Sequence, residues 1–281
     1  MVFTTVWLAA DNGLFAKYGL DVTLTDNLEG VKQAQAIIAG DVQIGNVGGT
    51  EILNSRVGGS NLIALMQTTE SPLFEIHAAP TYKDVKELKG KTVAVTQTGS
   101  STDIAARLML KNAGLDPNSD VKLLNASNMP GILAAMVSKQ VDAGVVSPPT
   151  TVKATQQGFP TLASAVNEKL PLQNNLVATT RAYADQHPEV ISAYLHAMLD
   201  ADQMFVSQPD VAVKAIAKHT DSDQPTAQAA YDALKPALDP KGLVDEAGLK
   251  TVQQFGPNPQ TQSLKLADAY DNHFLQQLLG S

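Results

Sequence analysis

The chain has 281 residues, of which 44% are hydrophobic and 17% charged, with a formal net charge of −8 and no cysteine. Its length exceeds a single usual core and predicts two lobes of roughly 100 to 180 residues each. The negative balance, with lysines and arginines scattered singly, excludes the basic footprint of a nucleic-acid partner. The missing thiols exclude disulfides, thiolate nucleophiles and cysteine-bearing metal sites. Aromatic residues are only 5% of a chain rich in Ala, Val and Leu, a composition that fits an ordered α/β protein. No apolar run approaches the roughly 18 residues a membrane span needs. The amino terminus lacks the basic-then-apolar pattern of a secretory signal, so Met1 is expected to begin either a cytoplasmic protein or a chain whose export signal has been removed.

In chain order, Met1 to Trp7 leans toward β-structure, Ala9 to Tyr18 has helical spacing ending at Gly19, and Leu20 to Leu24 reads as a strand. Glu29 to Ala39 is a second helix closed by Gly40, and Val42 to Gly45 a strand running into the Gly-rich turn Asn46 to Gly49. Thr50 to Val57 is a helix broken at Gly58, and Leu62 to Thr68 an apolar strand. The first 70 residues thus alternate helix and strand as a wound sheet should. From Thr69 to Pro80 helical periodicity is lost, and Phe74 to Ala78 reads as a crossing strand.

The stretch Leu88 to Leu115 carries the clearest local signal. Thr92 to Val95 is a short buried strand, Gly99 a tight turn, and Ser100 to Asp103 a helix start whose apolar face runs to a stop at Gly114. A strand, a Gly turn and a helix leave backbone N–H groups at a sheet edge, where a ligand's acceptor group can be held. The plainer reading is a capping box between Ser100 and Asp103, which needs no ligand.

Strands follow at Val121 to Leu124 and Ala143 to Val146, with a helix from Gly131 to Gln140 between them. Ser147-Pro148-Pro149 stops the second strand. Thr151 to Gly158 is a helix, Thr161 to Ala163 a short strand, and Asn175 to Thr179 a second crossing segment. Two crossings about 100 residues apart place an inserted lobe at residues 76–176, with 1–75 and 177–281 sharing the other lobe and two strands acting as the hinge. Beyond Arg181 the chain reads as helical: Pro188 at a helix N1 site after Asp185, Val190 to Val206, Pro209 to His219, Thr226 to Leu234 and Leu264 to Leu279, with Gly256 to Gln262 as a surface loop.

No GxSxG, HExxH, GxxxxGKS/T or GxGxxG stands in a fitting context. The five histidines, His77, His187, His196, His219 and His273, lie far apart and are expected to be structural or exposed. Glu75 and His77 share a strand face by alternation and read as a solvated or hinge-side contact in preference to an acid–base couple.

Five phrases, taken together and in order, resemble the nitrate, sulfonate and taurine group of periplasmic solute-binding proteins, which also includes thiamine-precursor binders. They are WLAADNGLFAKYGLDVTL (Trp7 to Leu24), AGDVQIGNVGG (Ala39 to Gly49), LKGKTVAVTQTGSS (Leu88 to Ser101), KNAGLDP (Lys111 to Pro117) and SKQVDAGVVSPP (Ser138 to Pro149). The helical stretch HPEVISAYLHAML (His187 to Leu199) fits as well. The resemblance implies an α/β, two-lobed periplasmic binding protein type II fold with two hinge strands. It also implies a small ligand trapped in the cleft between the lobes and delivered to the membrane permease of an ABC importer, a class known for hinge closure.

The resemblance places the pocket on loop ends. Thr5 and Trp7 match the first loop, where the aromatic covers or stacks on the ligand, and Asn46, Gly48 and Thr50 match the second, where glycine lets backbone approach closely. Thr68 and Thr69 lie at the hinge entry, Ser100, Ser101 and Thr102 at the anion-facing helix start, and Asn128, Met129, Ser147 and Pro148 on the remaining loops of the inserted lobe. Turn and cap chemistry is the plainer role for each of them. Relatives carry a strand before the Trp7 loop, for which Met1 leaves almost no room, so that strand is expected to be missing or supplied differently. Asp103, with Glu51 and Glu70 near the pocket loops, opposes a bare anion, and no Arg or Lys falls on a matched loop. A neutral or zwitterionic ligand, or an organic one with its carboxylate on Ser100 to Thr102 and an amine or hydroxyl near Glu51 or Glu70, fits the charges better, and the expected ligand is a small organic sulfonate, carboxylate, zwitterion or pyrimidine-like molecule. The expected protein is thus a periplasmic, monomeric binder with no cofactor, no metal and no enzyme activity. The alternatives are an enzyme of the same fold, resembling a thiamine-pyrimidine synthase or a desulfinase, and a cytoplasmic ligand sensor. Both enzymes, as far as the resemblance goes, depend on an active-site cysteine that this chain lacks.

Overall fold

A computed structural model describes residues 4–25, 30–173, 175–239, 241–256 and 258–280. Its elements are, in order, α1 (Thr4–Asp11), α2 (Leu14–Lys17), α3 (Val31–Ala39), β1 (Gly45–Val47), α4 (Gly49–Val57), β2 (Leu62–Gln67), β3 (Glu75–Ala78), β4 (Thr92–Val95), α5 (Ser101–Asn112), β5 (Lys122–Asn125), α6 (Met129–Val137), β6 (Ala143–Val146) and α7 (Thr150–Gln156). After them come β7 (Thr161–Ser164), β8 (Leu176–Thr180), α8 (Arg181–Gln186), α9 (Pro188–Ser207), α10 (Pro209–Thr220), α11 (Gln224–Leu234), α12 (Glu246–Phe255) and α13 (His273–Leu279). The chain divides into two compact units. Unit 1 is Met1–Glu70, Gln173–Gln254 and Asn258–Ser281, and unit 2 is Ser71–Leu172 with Phe255–Pro257.

Unit 1 is built on a sheet of order β1-β8-β2, with β8 central and antiparallel to both neighbours. Val47 and Gln67 both lie opposite Leu176, so the ends of β1 and β2 and the start of β8 share one edge of the sheet. Leu62 to Met66 are fully buried, which accounts for the unbroken apolar run of β2. α9 packs against α1, α2, α10 and α13. Its buried Ile191, Leu195, Met198, Ala201 and Phe205 recur every three or four residues, the period of one helix face.

Unit 2 carries a sheet of order β5-β4-β6-β3-β7, in which β5, β4 and β6 run parallel and β3 is antiparallel to both β6 and β7. α6 sits directly on this sheet. A Cβ on Gly144 of β6 would lie 2.3 Å from Ile132 Cγ2, so glycine is what lets helix and strand approach. Ala94, Ile132, Met136, Val141 and Val146 form the core under that contact.

Several expectations are corrected. Thr4 to Trp7 is helical, not β, and belongs to α1, while Met1 to Phe3 lie outside the described residues. Leu20 to Leu24 alternates in exposure but is in no helix or strand and has no ladder partner among the described residues. The strand expected at Val42 begins only at Gly45 and runs to Val47. Glu29, expected to begin α3, lies outside the described residues. α9 takes Pro188 at its start as expected, with His187 at the cap position before it. The single helix expected over Leu264 to Leu279 is broken, because backbone there is used by the sheet: Ala64 N–H donates to Ala269 O at 2.9 Å and accepts in return, through its carbonyl, from Asp271 N–H at 2.8 Å. Helix resumes only at His273. α12 was not expected at all, although Leu249 and Val252 form its buried face. The expected surface loop holds a 3₁₀ turn over Pro259–Ser263 whose Thr261 is buried; Pro257 lies outside the described residues.

Candidate functional site

In unit 1 the shared sheet edge gathers polar side chains into two hydrogen-bonded chains. Asn46 Nδ2 donates to Asn175 Oδ1 at 3.1 Å, Asn175 Nδ2 donates to Thr68 Oγ1, and Thr68 N–H donates to Asn175 O at 3.1 Å. Beside them Gln173 Nε2 donates to Gln67 Oε1 and Gln67 Nε2 to Asp239 Oδ2. Asp239 Oδ1 accepts from the amides of Lys241 (2.9 Å) and Gly242 (3.0 Å). All of these side chains except that of Lys241 are buried, and a buried polar group is stable only where it is paired in this way. Thr69 is buried and bridges to Leu238.

Gly48 and Thr50 stand at the start of α4. Gly49 N–H donates to Gln173 O at 3.0 Å, tying the helix start to the same edge. A Cβ on Gly49 would lie 3.1 Å from Leu249 and 3.2 Å from Gln173 O, a fit that leaves room for little but glycine. The Thr50 hydroxyl and Glu51 Oε2 are buried and have no hydrogen-bond partner among the described residues. Burial pushes the Glu51 carboxyl above its ordinary value, against the opposing pull of the Glu51 and Gly48 amides that donate to it. Glu70 is exposed.

Thr5 and Trp7 lie on α1, not on a loop. The Trp7 ring stacks on His219, with centroids 4.8 Å apart and planes 5° from parallel, and His219 Nε2 is held by Asp11 Oδ2 at 3.0 Å. Trp7 also lines a cavity of about 100 Å³ with Val22, Leu24, Gln33, Ile44 and Asn46. Thr5 is buried beside Asp202 of α9, which no motif suggested. Burial holds the Asp202 carboxyl well above the ordinary value; Thr5 opposes this and the charge of Asp239 adds to it. Neither Asp202 oxygen reaches a hydrogen-bond partner among the described residues, and the same is true of the Tyr231 hydroxyl.

In unit 2 the loops after β4, β5 and β6 leave the same carboxyl edge because these strands are parallel. At the start of α5 the hydroxyls of Thr96, Ser100 and Thr102 lie 2.8–3.0 Å from one another, and Thr102 Oγ1 also accepts from Thr96 N–H at 3.0 Å. Ser100 is the N-cap and accepts from Asp103 N–H at 3.4 Å. The reciprocal half of the expected capping box goes one residue further back, since Asp103 Oδ2 accepts from Gly99 N–H at 2.8 Å. Asp103 Oδ1 accepts from Arg107 Nε at 3.0 Å, so a cation one turn along α5 meets this charge. Ser101 and Thr102 are buried in the first turn.

Asn128 caps α6, its Oδ1 accepting from Gly131 N–H at 2.8 Å, and is exposed with Met129 half-buried behind it. Pro148 is buried and Ser147 half-buried; the Ser147 carbonyl accepts from Thr150 N–H at 2.9 Å. Glu75 and His77 pair within the unit 2 sheet, Nε2 lying 2.8 Å from Glu75 Oε2 and Nδ1 2.9 Å from Phe159 O, with His77 fully buried. Of the solvated or hinge-side contact expected for them, the burial of His77 removes the solvated alternative. Among the described residues no group of three or more His, Cys, Asp or Glu side chains could hold a metal ion, and no helix is long and apolar enough to cross a membrane.

Unit 1 therefore brings Asn46, Gly48, Thr50, Thr68 and Thr69 together at one sheet edge, and unit 2 brings Ser100, Ser101, Thr102, Asn128, Met129, Ser147 and Pro148 to another. Sequence reasoning missed Asn175, Gln173, Gln67, Asp239 and Asp202. Asn175 was expected to open the second crossing segment, but nothing local marks it as the link between Asn46 and Thr68.

A wound α/β protein with polar side chains gathered at strand ends is the architecture of a small-molecule binder. The sequence pattern of the NMT1/THI5 like family matches residues 1–212, and the chain belongs to that family. It is 26% identical over 220 residues to the taurine-binding periplasmic protein of Escherichia coli strain K12, a match covering 73% of this chain and 64% of that protein. In structure it is similar to the periplasmic aliphatic sulphonate binding protein of Escherichia coli, with a TM-score of 0.80, 21% identity, and 94% of this chain and 87% of that one covered. It is also similar to the periplasmic nitrate-binding protein of Synechocystis PCC 6803, with a TM-score of 0.80, 15% identity, and coverage of 99% and 86%. These likenesses establish the periplasmic binding protein fold.

Proposed function

We propose that this protein is the solute-binding component of an ABC importer, working in the periplasm, that captures a small organic ligand and passes it to a membrane permease. The observation that carries the reading is the unit 1 edge, where Asn46, Asn175 and Thr68 are locked in fixed orientations beside the α4 start. Rigidly held amides and hydroxyls at strand ends present directed donors and acceptors without further loss of side-chain freedom, which is what selective binding of a small polar molecule needs. Family membership and the names of the similar proteins support the same reading. Thr5, Trp7, Asn46, Gly48, Thr50, Thr68 and Thr69 in unit 1 are the proposed ligand contacts, and separately Ser100, Ser101, Thr102, Asn128, Met129, Ser147 and Pro148 in unit 2. The chemistry asked of them is binding alone, with no bond made or broken.

The test is a thermal-shift screen of the purified chain against taurine, alkanesulfonates, small carboxylates and pyrimidines. A true ligand at a hundredfold excess over Kd stabilises the fold by about 2.7 kcal/mol. Asn46→Ala should reduce that shift, since it unlinks the Asn175 amide. A complete absence of shifts across the four classes would sink the proposal.

A further inference from the structure

We propose that Glu51, with the Thr50 hydroxyl beside it, makes the start of α4 a receiver for a donor nitrogen of the ligand, an ammonium or amino group, and keeps an oxyanion out of that position. The inference rests on the solute-binding reading and deepens it to a substrate class.

The starting point is an account of the donors at this helix start. An uncapped helix start offers free amides to an anion. Here Gly49 N–H is used by Gln173 O, Ile52 N–H by Gly48 O, and the amides of Gly48 and Glu51 by the Glu51 carboxylate itself. The protein's own carboxylate thus stands where an oxyanion would have to sit. One N–H of each neighbouring amide is used within the protein, that of Asn46 by Asn175 and that of Asn175 by Thr68.

The unpaired side-chain atoms that remain are oxygens, a carboxylate that only accepts and a hydroxyl that can accept or donate. Thr50 is only 5% exposed and its hydroxyl has no partner among the described residues; Glu51 Oε2 has none either. No Lys, Arg or His makes an ion pair with Glu51 among the described residues, and the nearest cation on the same helix, Arg56, turns its guanidinium to Leu62 O at 3.3 Å. A buried acceptor left unpaired is unusual enough to need an explanation, and a donor supplied by a ligand is one that also accounts for the charge. A turn about the terminal torsion of Glu51 exchanges its two oxygens, so the shielded one need not stay shielded when a ligand arrives.

The experiment uses the full chain and the Glu51→Gln variant, with calorimetric titration of matched pairs that differ in the nitrogen: taurine against ethanesulfonate, β-alanine against propionate, and 4-aminopyrimidine against pyrimidine, with sodium nitrate as the bare oxyanion. The expected result is that, in at least one pair, the nitrogen-bearing member binds the unaltered chain at least tenfold more tightly than its partner. Glu51→Gln brings that ratio to within about twofold while the far-UV circular dichroism is unchanged. Thr50→Val, which leaves the carboxylate in place, lowers the same ratio and serves if Glu51→Gln does not fold. Ethanesulfonate, propionate or nitrate binding as tightly as the nitrogen-bearing compounds overturns the inference and leaves the solute-binding reading standing. So does a ratio unmoved by both variants. Binding of none of the compounds by the unaltered chain overturns both.

Discussion

The helix starts of α4 in unit 1 and α5 in unit 2 look alike in sequence: a glycine-bearing turn, a hydroxyl residue, then a carboxylate in the first turn. Their electrostatics differ. Asp103 is nearly inaccessible yet fully engaged, by Gly99 N–H on one oxygen and Arg107 on the other. Among the described residues Glu51 has amides but no cation, and one of its oxygens has no hydrogen-bond partner. Asp202, in the interior of unit 1, goes further and has neither among the described residues. A carboxylate at a helix start is therefore structural where a cation completes it, and available to a ligand or a proton where none does.

The sharpest way to break the contrast is to take away the cation. Arg107→Met keeps most of the aliphatic stem but strands the Asp103 carboxylate in a buried position, and is expected to cost about 3 kcal/mol. Urea denaturation at pH 7 should show it as a lower midpoint with an unchanged slope.

Next in size, and opposite in sign, is Asp202→Asn. Because the folded-state pKa of Asp202 is raised, the folded chain holds its proton more tightly than the unfolded chain does. Stability is then lost as pH rises from about 4, the unfolded value, toward the folded value. Asp202→Asn removes that loss and should stabilise the protein at pH 8 but by little at pH 4. Thermal melts of both proteins across that range check it, and parallel curves would count against a neutral, buried Asp202.

A smaller effect of the same sign is expected for Glu51→Gln in the absence of ligand, about 1 kcal/mol at pH 8, since the Glu51 pKa is also raised by burial. Equal gains at pH 4 and pH 8 would contradict a titrating Glu51. In unit 2, Asp142 should behave in the reverse sense. Burial raises its pKa, but the Thr92 amide and the Tyr82 hydroxyl outweigh burial and leave it lowered, so its stabilisation is present above pH 4 and fades below. The smallest change is Ser100→Ala, which removes a cap whose bond to Asp103 N–H is long, and should cost about 0.5 kcal/mol in the same denaturation assay.

The α/β class, the family, and the positions of β4, α5, β6, α10 and α11 were legible because each depends on a local pattern: an apolar run, a helical period, a cap or a proline. What was not legible depended on distant partners. Residues 264 to 272 have helical spacing, yet the edge of β2 at Ala64 claims their backbone. Leu20 to Leu24 has strand alternation but no neighbouring strand among the described residues to complete a ladder. Trp7, expected on a ligand-covering loop, is helical, and its ring lies on His219 more than two hundred residues away in sequence.

By itself the order of residues determined the kind of fold, the family and the acidic character of both helix starts, since hydrophobic period, turn chemistry and charge are written within a few neighbours of each position. Only the tertiary structure decided which of those carboxylates is answered. Arg107 reaches Asp103 because one turn of helix brings it there and Gly99 closes the other side, whereas Glu51, like Asp202 in the interior of unit 1, meets no counter-charge among the described residues. Whether a buried charge is paired is a property of the space around it, and that space is assembled from segments far apart in the chain.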